Sequence, residues 1–180
     1  MAKRARARDA PQFLDDDEVA AWHGLLQTSG RVLRELDQRL QREHRISVGE
    51  FDVLITLFNA PDERLRMAEL ARSVSLSPAG LTHLVARLER ERLVRRATDP
   101  EDRRGSYTVL TAKGLARLNA ARPVHNEVIR HLFLNRITTN DRRRLAAIWM
   151  RAQTASRRHG HPGASSFSSR GTGDGAPREP

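Results

Sequence analysis

The sequence contains no cysteine. Disulfides, thiolate metal sites and thiol redox switches, including thiol-based peroxide sensing, are therefore excluded. No apolar run approaches the roughly 18 residues a membrane-spanning helix needs. The basic stretch Met1 to Arg8 is followed by no apolar segment, so it does not read as a secretory signal. These absences predict a soluble, cytoplasmic protein that does not span a membrane. Nucleophile elbows, phosphate loops and paired carboxylates in apolar settings are also missing, so an enzyme is not expected. Lysine is scarce: only Lys3 and Lys113 occur, and every other basic residue among the 32 Lys and Arg is arginine. The planar guanidinium suits bidentate contact with phosphate and guanine. A G+C-rich coding sequence would produce the same bias.

The 180 residues are 38% hydrophobic and 30% charged, an ordinary globular mix. The length allows one domain with a sizeable core, or a small domain with helical arms. The formal net charge of +10 is less ordinary and favours a polyanionic partner. Because 22 acidic residues are also present, the positive charge must be concentrated locally.

Composition and periodicity divide the chain. Residues 1–14 read as a flexible basic arm. Residues 15–60 read as N-terminal helices for dimerisation and core. Residues 61–111 read as a separate unit of short helices and strands, and 112–157 as C-terminal dimerisation helices. Residues 158–180, rich in Gly, Ser and Pro, are expected to be a disordered tail.

Asp15-Asp16-Asp17-Glu18 suits a helix N-terminus. Trp22, Leu26, Leu33, Leu36 and Leu40 follow at spacings of 3, 4 or 7, one apolar stripe on a helix of about 25 residues. That length exceeds the needs of a small core and implies a partner helix. Ser47-Val48-Gly49-Glu50 is a capping box opening a second helix, with Phe51, Leu54, Ile55 and Phe58 as its buried face. Ala60-Pro61 ends that helix, and a short strand fits near Leu65. A third helix is expected from Met67 to Val74. After Ser75-Leu76, Ser77-Pro78 is an N-cap followed by a pre-organised first position. The fourth helix then runs to about Glu91, with Leu81, Leu84, Val85 and Leu88 inward.

Two short helices joined so tightly make a helix-turn-helix. Leu93–Ala97 and Ser106–Leu110 read as strands around an Asp-Pro-Gly turn, a hairpin wing. Thr111 caps a fifth helix to about residue 135, in which Pro123 should introduce a kink. A sixth helix begins near Thr139 and carries Leu145, Ile148 and Trp149. The expected fold is mainly α with a small β-hairpin wing: a winged helix-turn-helix, from roughly Arg64 to Thr111, flanked by long dimerisation helices.

On the fourth helix, Ala79, Thr82, His83, Ala86, Arg87 and Arg90 lie opposite the apolar face. In a helix-turn-helix the N-terminal part of that helix reads base edges in the major groove. Arg103 and Arg104 stand at the wing tip, where arginine suits the negative minor groove, and Asp102 is placed to brace them.

The run RLRMAELARSVSLSPAGLTHLVARLERERLVRRATDPEDRRGSYTVLTAKG resembles the MarR family of bacterial transcriptional regulators. The likeness extends over about residues 17–155. It implies a homodimer on a pseudo-palindromic operator in double-stranded DNA, commonly a repressor relieved by a small ligand. By the same likeness the DNA contacts are Ser77, Pro78, Ala79, Thr82, His83 and Arg87, with Asp102, Arg103 and Arg104 in the wing. Two departures stand out. Pro78-Ala79-Gly80 makes a chemically thin start to the reading helix, so discrimination falls on Thr82, His83 and Arg87. The turn after that helix carries Glu91-Arg92 where glycine is usual. If Arg92 takes a positive φ, it costs roughly 1 kcal/mol.

Trp22, His23, Phe51, Asp52 and Phe58 mix aromatic walls with polar groups and are candidate lining for a small organic ligand. Core or interface packing accounts for Trp22 and the two phenylalanines equally well. No cofactor is expected. Neither His159/His161 in the tail nor His125/His131 on the fifth helix completes a metal site. A sequence-tolerant architectural DNA binder, or a winged helix that binds protein, is the alternative reading.

Overall fold

The structure, a computed structural model, describes residues 13–74, 78–98 and 106–158. The expected basic arm and tail, Ser77 and the wing-tip residues Asp102, Arg103 and Arg104 lie outside the described residues.

Helix α1, Asp16–His44, is capped by Asp15, whose side chain accepts from Glu18 N while Glu18 returns a bond to Asp15 N. It ends at Arg45, a left-handed residue with φ 56°. Helix α2, Val48–Asn59, opens on the expected capping box between Ser47 and Glu50. Val48 N also donates to Asp37 Oδ1 at 2.9 Å, which pins the first turn of α2 to α1. A 3₁₀ turn, Pro61–Glu63, leads into strand β1, Arg64–Arg66. Helices α3, Met67–Ser73, and α4, Pro78–Arg90, form the helix-turn-helix pair. Strands β2, Val94–Thr98, and β3, Ser106–Leu110, form the wing.

The three strands make one antiparallel sheet in the order β1-β3-β2. Its register pairs Arg64 with Val109, and Val109 with Arg95. Val94 and Leu110 therefore face the core together, while Arg64, Tyr107 and Arg95 share the opposite face.

Helix α4 closes with Arg92 at φ 59°, as the missing glycine suggested. Arg92 N donates to Glu89 O and Leu93 N to Leu88 O, both at 2.9 Å. This pair of bonds is a Schellman closure, which satisfies carbonyls left over at the helix end. Thr111 then locks the turn to the next helix. Its Oγ1 donates to Arg92 O at 2.8 Å and accepts from Gly114 N at 3.0 Å. A side chain at Gly114 would collide with the Leu93 carbonyl, so the Thr-x-x-Gly pattern is required by a close helix–strand approach.

Helix α5, Ala112–Leu132, runs unbroken through Pro123 and ends earlier than the expected residue 135. A 3₁₀ turn, Leu134–Arg136, and helix α6, Thr139–Arg158, follow. Leu118, Ala121, Val124 and Val128 of α5 are buried within the chain, and α5 packs along α1 and α2. The apolar stripe of α5 is thus mostly consumed by its own protomer. The unpartnered apolar surface lies on the N-terminal half of α1 and on α6.

The core unites Leu40, Ile46, Leu54, Leu57 and Leu70 with Leu81, Val85 and Leu88 of α4. Burying these aliphatic groups, each contributing ~1.5–3 kcal/mol on removal from water, fixes the reading helix against α2.

Candidate nucleic-acid interface

Helix α4 presents two chemically distinct faces. Leu81, Val85 and Leu88 are buried, while Ala79, Thr82, His83 and Arg90 are exposed. The 3.6-residue period brings the expected contact residues Ala79, Thr82, His83 and Arg87 to one side. Pro78 is the first helical residue, as its fixed φ favours.

Arg87 is held on its own side of the helix. Its Nε lies 2.9 Å from Oε1 of Glu50, on α2, and 3.5 Å from Oε1 of Glu91. Glu50 is only 1% exposed. The capping box had accounted for Glu50 as a local helix signal, and its partnership with α4 was not foreseen. A signal did exist: Glu50 stands four and seven residues before Leu54 and Leu57, on the buried face. A shallow cleft of about 280 Å³ opens beside the pair, lined by Ser47, Glu50, Gly80, His83, Leu84 and Arg87.

Further arginines flank the wing. Arg96 on β2 pairs with Glu89 of α4 at 3.3 Å, bracing the wing against the reading helix. On the outer face of the sheet, the guanidinium carbons of Arg64 and Arg66 lie 4.7 Å and 5.6 Å from the Tyr107 ring centre. Stacking on an aromatic face holds these cations in place.

The five candidate ligand residues are dispersed. Trp22 and His23 are exposed on the N-terminal half of α1. Phe51 is buried in the core, with its ring stacked 4.2 Å from that of His125. Phe58 is half-buried beneath the Arg122 guanidinium. Asp52 is half-buried on α2, and burial alone pushes its carboxyl up to about 6. Burial first, and Arg122 second, hold the His125 imidazole below its usual range, opposed by Asn126. A second cleft, about 430 Å³, lies along the end of α5 between Pro123 and Asn135. None of the five candidates lines either cleft. The α2–α5 packing around Phe51, His125, Phe58 and Arg122 was not legible beforehand, since it depends on which helix faces meet. Among the described residues no group of three or more His, Asp or Glu is arranged to hold a metal.

A helix-turn-helix with a hairpin wing on one long-helix scaffold defines a winged-helix protein of the nucleic-acid-binding class. Residues 46–106 match the model of the MarR family. The chain is 32% identical to Sco3205, a MarR family transcriptional regulator from Streptomyces coelicolor solved in complex with DNA. That match covers 83% of this chain and 92% of Sco3205, with a TM-score of 0.74. AbsC, another MarR family regulator from Streptomyces coelicolor, is 28% identical over 81% of this chain and 98% of its own, also with a TM-score of 0.74. The HTH-type transcriptional repressor YetL of Bacillus subtilis is 39% identical over 80 residues, 44% of this chain. The chain spans only about half, 48%, of that curated relative's length. The protein belongs to the MarR family.

Proposed function

We propose that the protein is a homodimeric, sequence-specific regulator of transcription that binds a pseudo-palindromic operator in double-stranded DNA. The observation that carries this reading is the α4 surface. Thr82, His83 and Arg87 project from a helix fixed by its opposite face, with an arginine-rich wing beside it. Such a helix enters the major groove while the wing reaches the adjacent minor groove. The DNA-bound state of Sco3205 supports the same assignment.

The partner subunit is a second copy of the chain. Trp22, Leu26 and Leu33 on α1 and Ile148, Trp149 and Met150 on α6 are each more than two-fifths exposed, an apolar surface too extended for a lone protomer. The repressor name of YetL supports repression as the sign of control. Control by a small organic ligand is supported by Asp52, whose half-buried carboxyl is pushed up to about 6 by burial, a cost to stability that packing alone does not require. The protein acts where bacterial DNA is, in the cytoplasm; no described helix is long and apolar enough to cross a membrane.

The test is recovery and sequencing of genomic fragments bound by the purified protein, followed by titration at fixed salt. A specific regulator binds the recovered palindrome at least ~1000-fold more tightly than random duplex. A ratio near one makes the protein an architectural binder, and no binding at low salt makes the wing a protein-docking device. Arg104→Ala should weaken binding most where the site is A·T-rich under the wing. His83→Ala should relax sequence preference while leaving non-specific affinity in place.

A further inference from the structure

Glu50 does two things with one buried carboxylate. Its Oε2 accepts from Ser47 N at 2.7 Å and from Ser47 Oγ at 3.0 Å, closing the cap of α2. Its Oε1 is turned the other way, to Arg87 Nε on α4 at 2.9 Å. The cap needs only one oxygen and no charge, since glutamine serves equally in a capping box. A carboxylate removed from water is costly unless a cation answers it. The second oxygen and the negative charge are therefore matched to Arg87, a residue on the face of α4 turned to DNA. The mount is rigid, because α2's first turn is itself fixed to Asp37 of α1.

The consequence lies in the geometry of arginine. The guanidinium carries five N–H donors in a fixed planar fork. The Nε edge faces the Glu50 carboxylate at 2.9 Å and donates to Glu91 Oε1 at 3.5 Å, which leaves the terminal amino groups, pointing along the side chain. Arg87 is 44% exposed, so that end reaches solvent. An arginine free to sweep the surface finds phosphates on any sequence, whereas a fork held in one plane suits the O6/N7 edge of guanine.

We infer that Glu50 is a positioning residue for sequence recognition: it holds Arg87 so that the guanidinium meets a guanine edge in the major groove rather than the phosphate backbone. The inference rests on the DNA-binding reading above. It adds a residue on α2, remote from the groove, that sets specificity through another.

The experiment is selection of binding sites from a random duplex library by the full-length parent. Affinities for the selected site and for random duplex are then measured at one salt concentration, with Glu50→Gln, Arg87→Ala, Arg87→Lys and the double variant Glu50→Gln/Arg87→Ala. Glu50→Gln keeps the cap, and thermal melting checks that it folds. The expected result is that Glu50→Gln lowers the selected-to-random ratio by about tenfold while random-duplex affinity stays within about twofold. Arg87→Lys keeps the charge, leaves the cap untouched and loses the ratio similarly. The double variant is no worse than Arg87→Ala. The selected half-site contains a guanine whose replacement penalises the parent far more than Glu50→Gln.

A parent-like ratio in Glu50→Gln or Arg87→Lys overturns the inference. So do equal losses on selected and random duplex, or losses that add in the double variant. If Glu50→Gln fails to fold, the Arg87→Lys ratio and the guanine replacement decide the matter. If the parent selects no sequence, the regulator reading itself falls and takes the inference with it.

Discussion

The two halves of α1 share one apolar period and meet opposite surroundings. Leu36 and Leu40, in the C-terminal half, are 3% and 0% exposed against α2 and α5. Trp22 and Leu26, in the N-terminal half, are 52% and 48% exposed. Periodicity makes both halves helices. Only the first pair finds its apolar partner inside the chain, so the protein divides into a winged body packed on itself and helical arms whose apolar faces stay uncovered.

Four variants test that division, taken from the largest expected effect to the smallest. Gly114→Ala strikes the body where α5 meets the end of β2's approach. The added methyl would overlap the Leu93 carbonyl and lie 2.8 Å from Leu110 Cδ1. Backbone must move, and a loss of about 3 kcal/mol or more is expected by denaturant unfolding. An unchanged midpoint would mean the body tolerates shifts that its packing forbids.

Trp22→Asp with Leu26→Asp strikes the arms. Light scattering should report a monomer at concentrations where the parent is a dimer. Circular dichroism should retain the helical signature of the body, whose core these residues do not join. Operator affinity should fall at least ~100-fold, because two half-sites are no longer bound by one molecule. If the variant stays dimeric, the exposed apolar half of α1 is not the interface.

Asp52→Asn sharpens the boundary between body and arms, and its sign can be worked out. Burial raises the folded carboxyl to about 6 from the usual 3.8. The unfolded chain therefore releases its proton first as pH rises. Below pH ~4 the group imposes no charge penalty. Stability is lost between pH ~4 and ~6, and the deficit persists at neutral pH. Asp52→Asn should be more stable than the parent by about 2 kcal/mol at pH 7 and no more stable at pH 4. Equal melting temperatures at both pH values would show that the carboxyl is solvated or paired in solution, which would remove the support it gives to a ligand site.

Arg92→Gly is the mildest change. Arg92 holds φ 59° to close α4. Glycine adopts that conformation freely but is more flexible when unfolded, so a net gain of about 0.5–1 kcal/mol is expected in thermal unfolding. A loss would point instead to contacts made by the Arg92 side chain.

Much of the fold was legible because its signals are local. The Ser47–Glu50 box, Ser77-Pro78 and Thr111 each place a helix start, and the caps at Ser47 and Thr111 form the bonds expected of them. The resemblance to a family that usually carries glycine in this turn raised the case of a positive φ at Arg92, and Arg92 adopts it. Less of the site could be read. His125 gave no sign that it stacks on Phe51, because that contact joins residues far apart in sequence. Glu50 was recognised for its bond to Ser47, three residues away, and not for its bond to Arg87 on another helix. The five candidate ligand residues looked alike as aromatic and polar groups, yet the fold sends Phe51 to the core and Trp22 to the surface.

The sequence by itself determined where helices and strands begin, which face of α4 is apolar, and that these 180 residues offer no thiol. Caps, turns and periodicity act within a few residues, so composition and spacing suffice for them. The tertiary structure alone decided that α5 spends its apolar stripe inside the protomer, that the first half of α1 and α6 remain uncovered, and that a carboxylate on α2 grips an arginine on α4. Those outcomes depend on which surfaces are brought within a few ångströms of each other, and no local pattern records that.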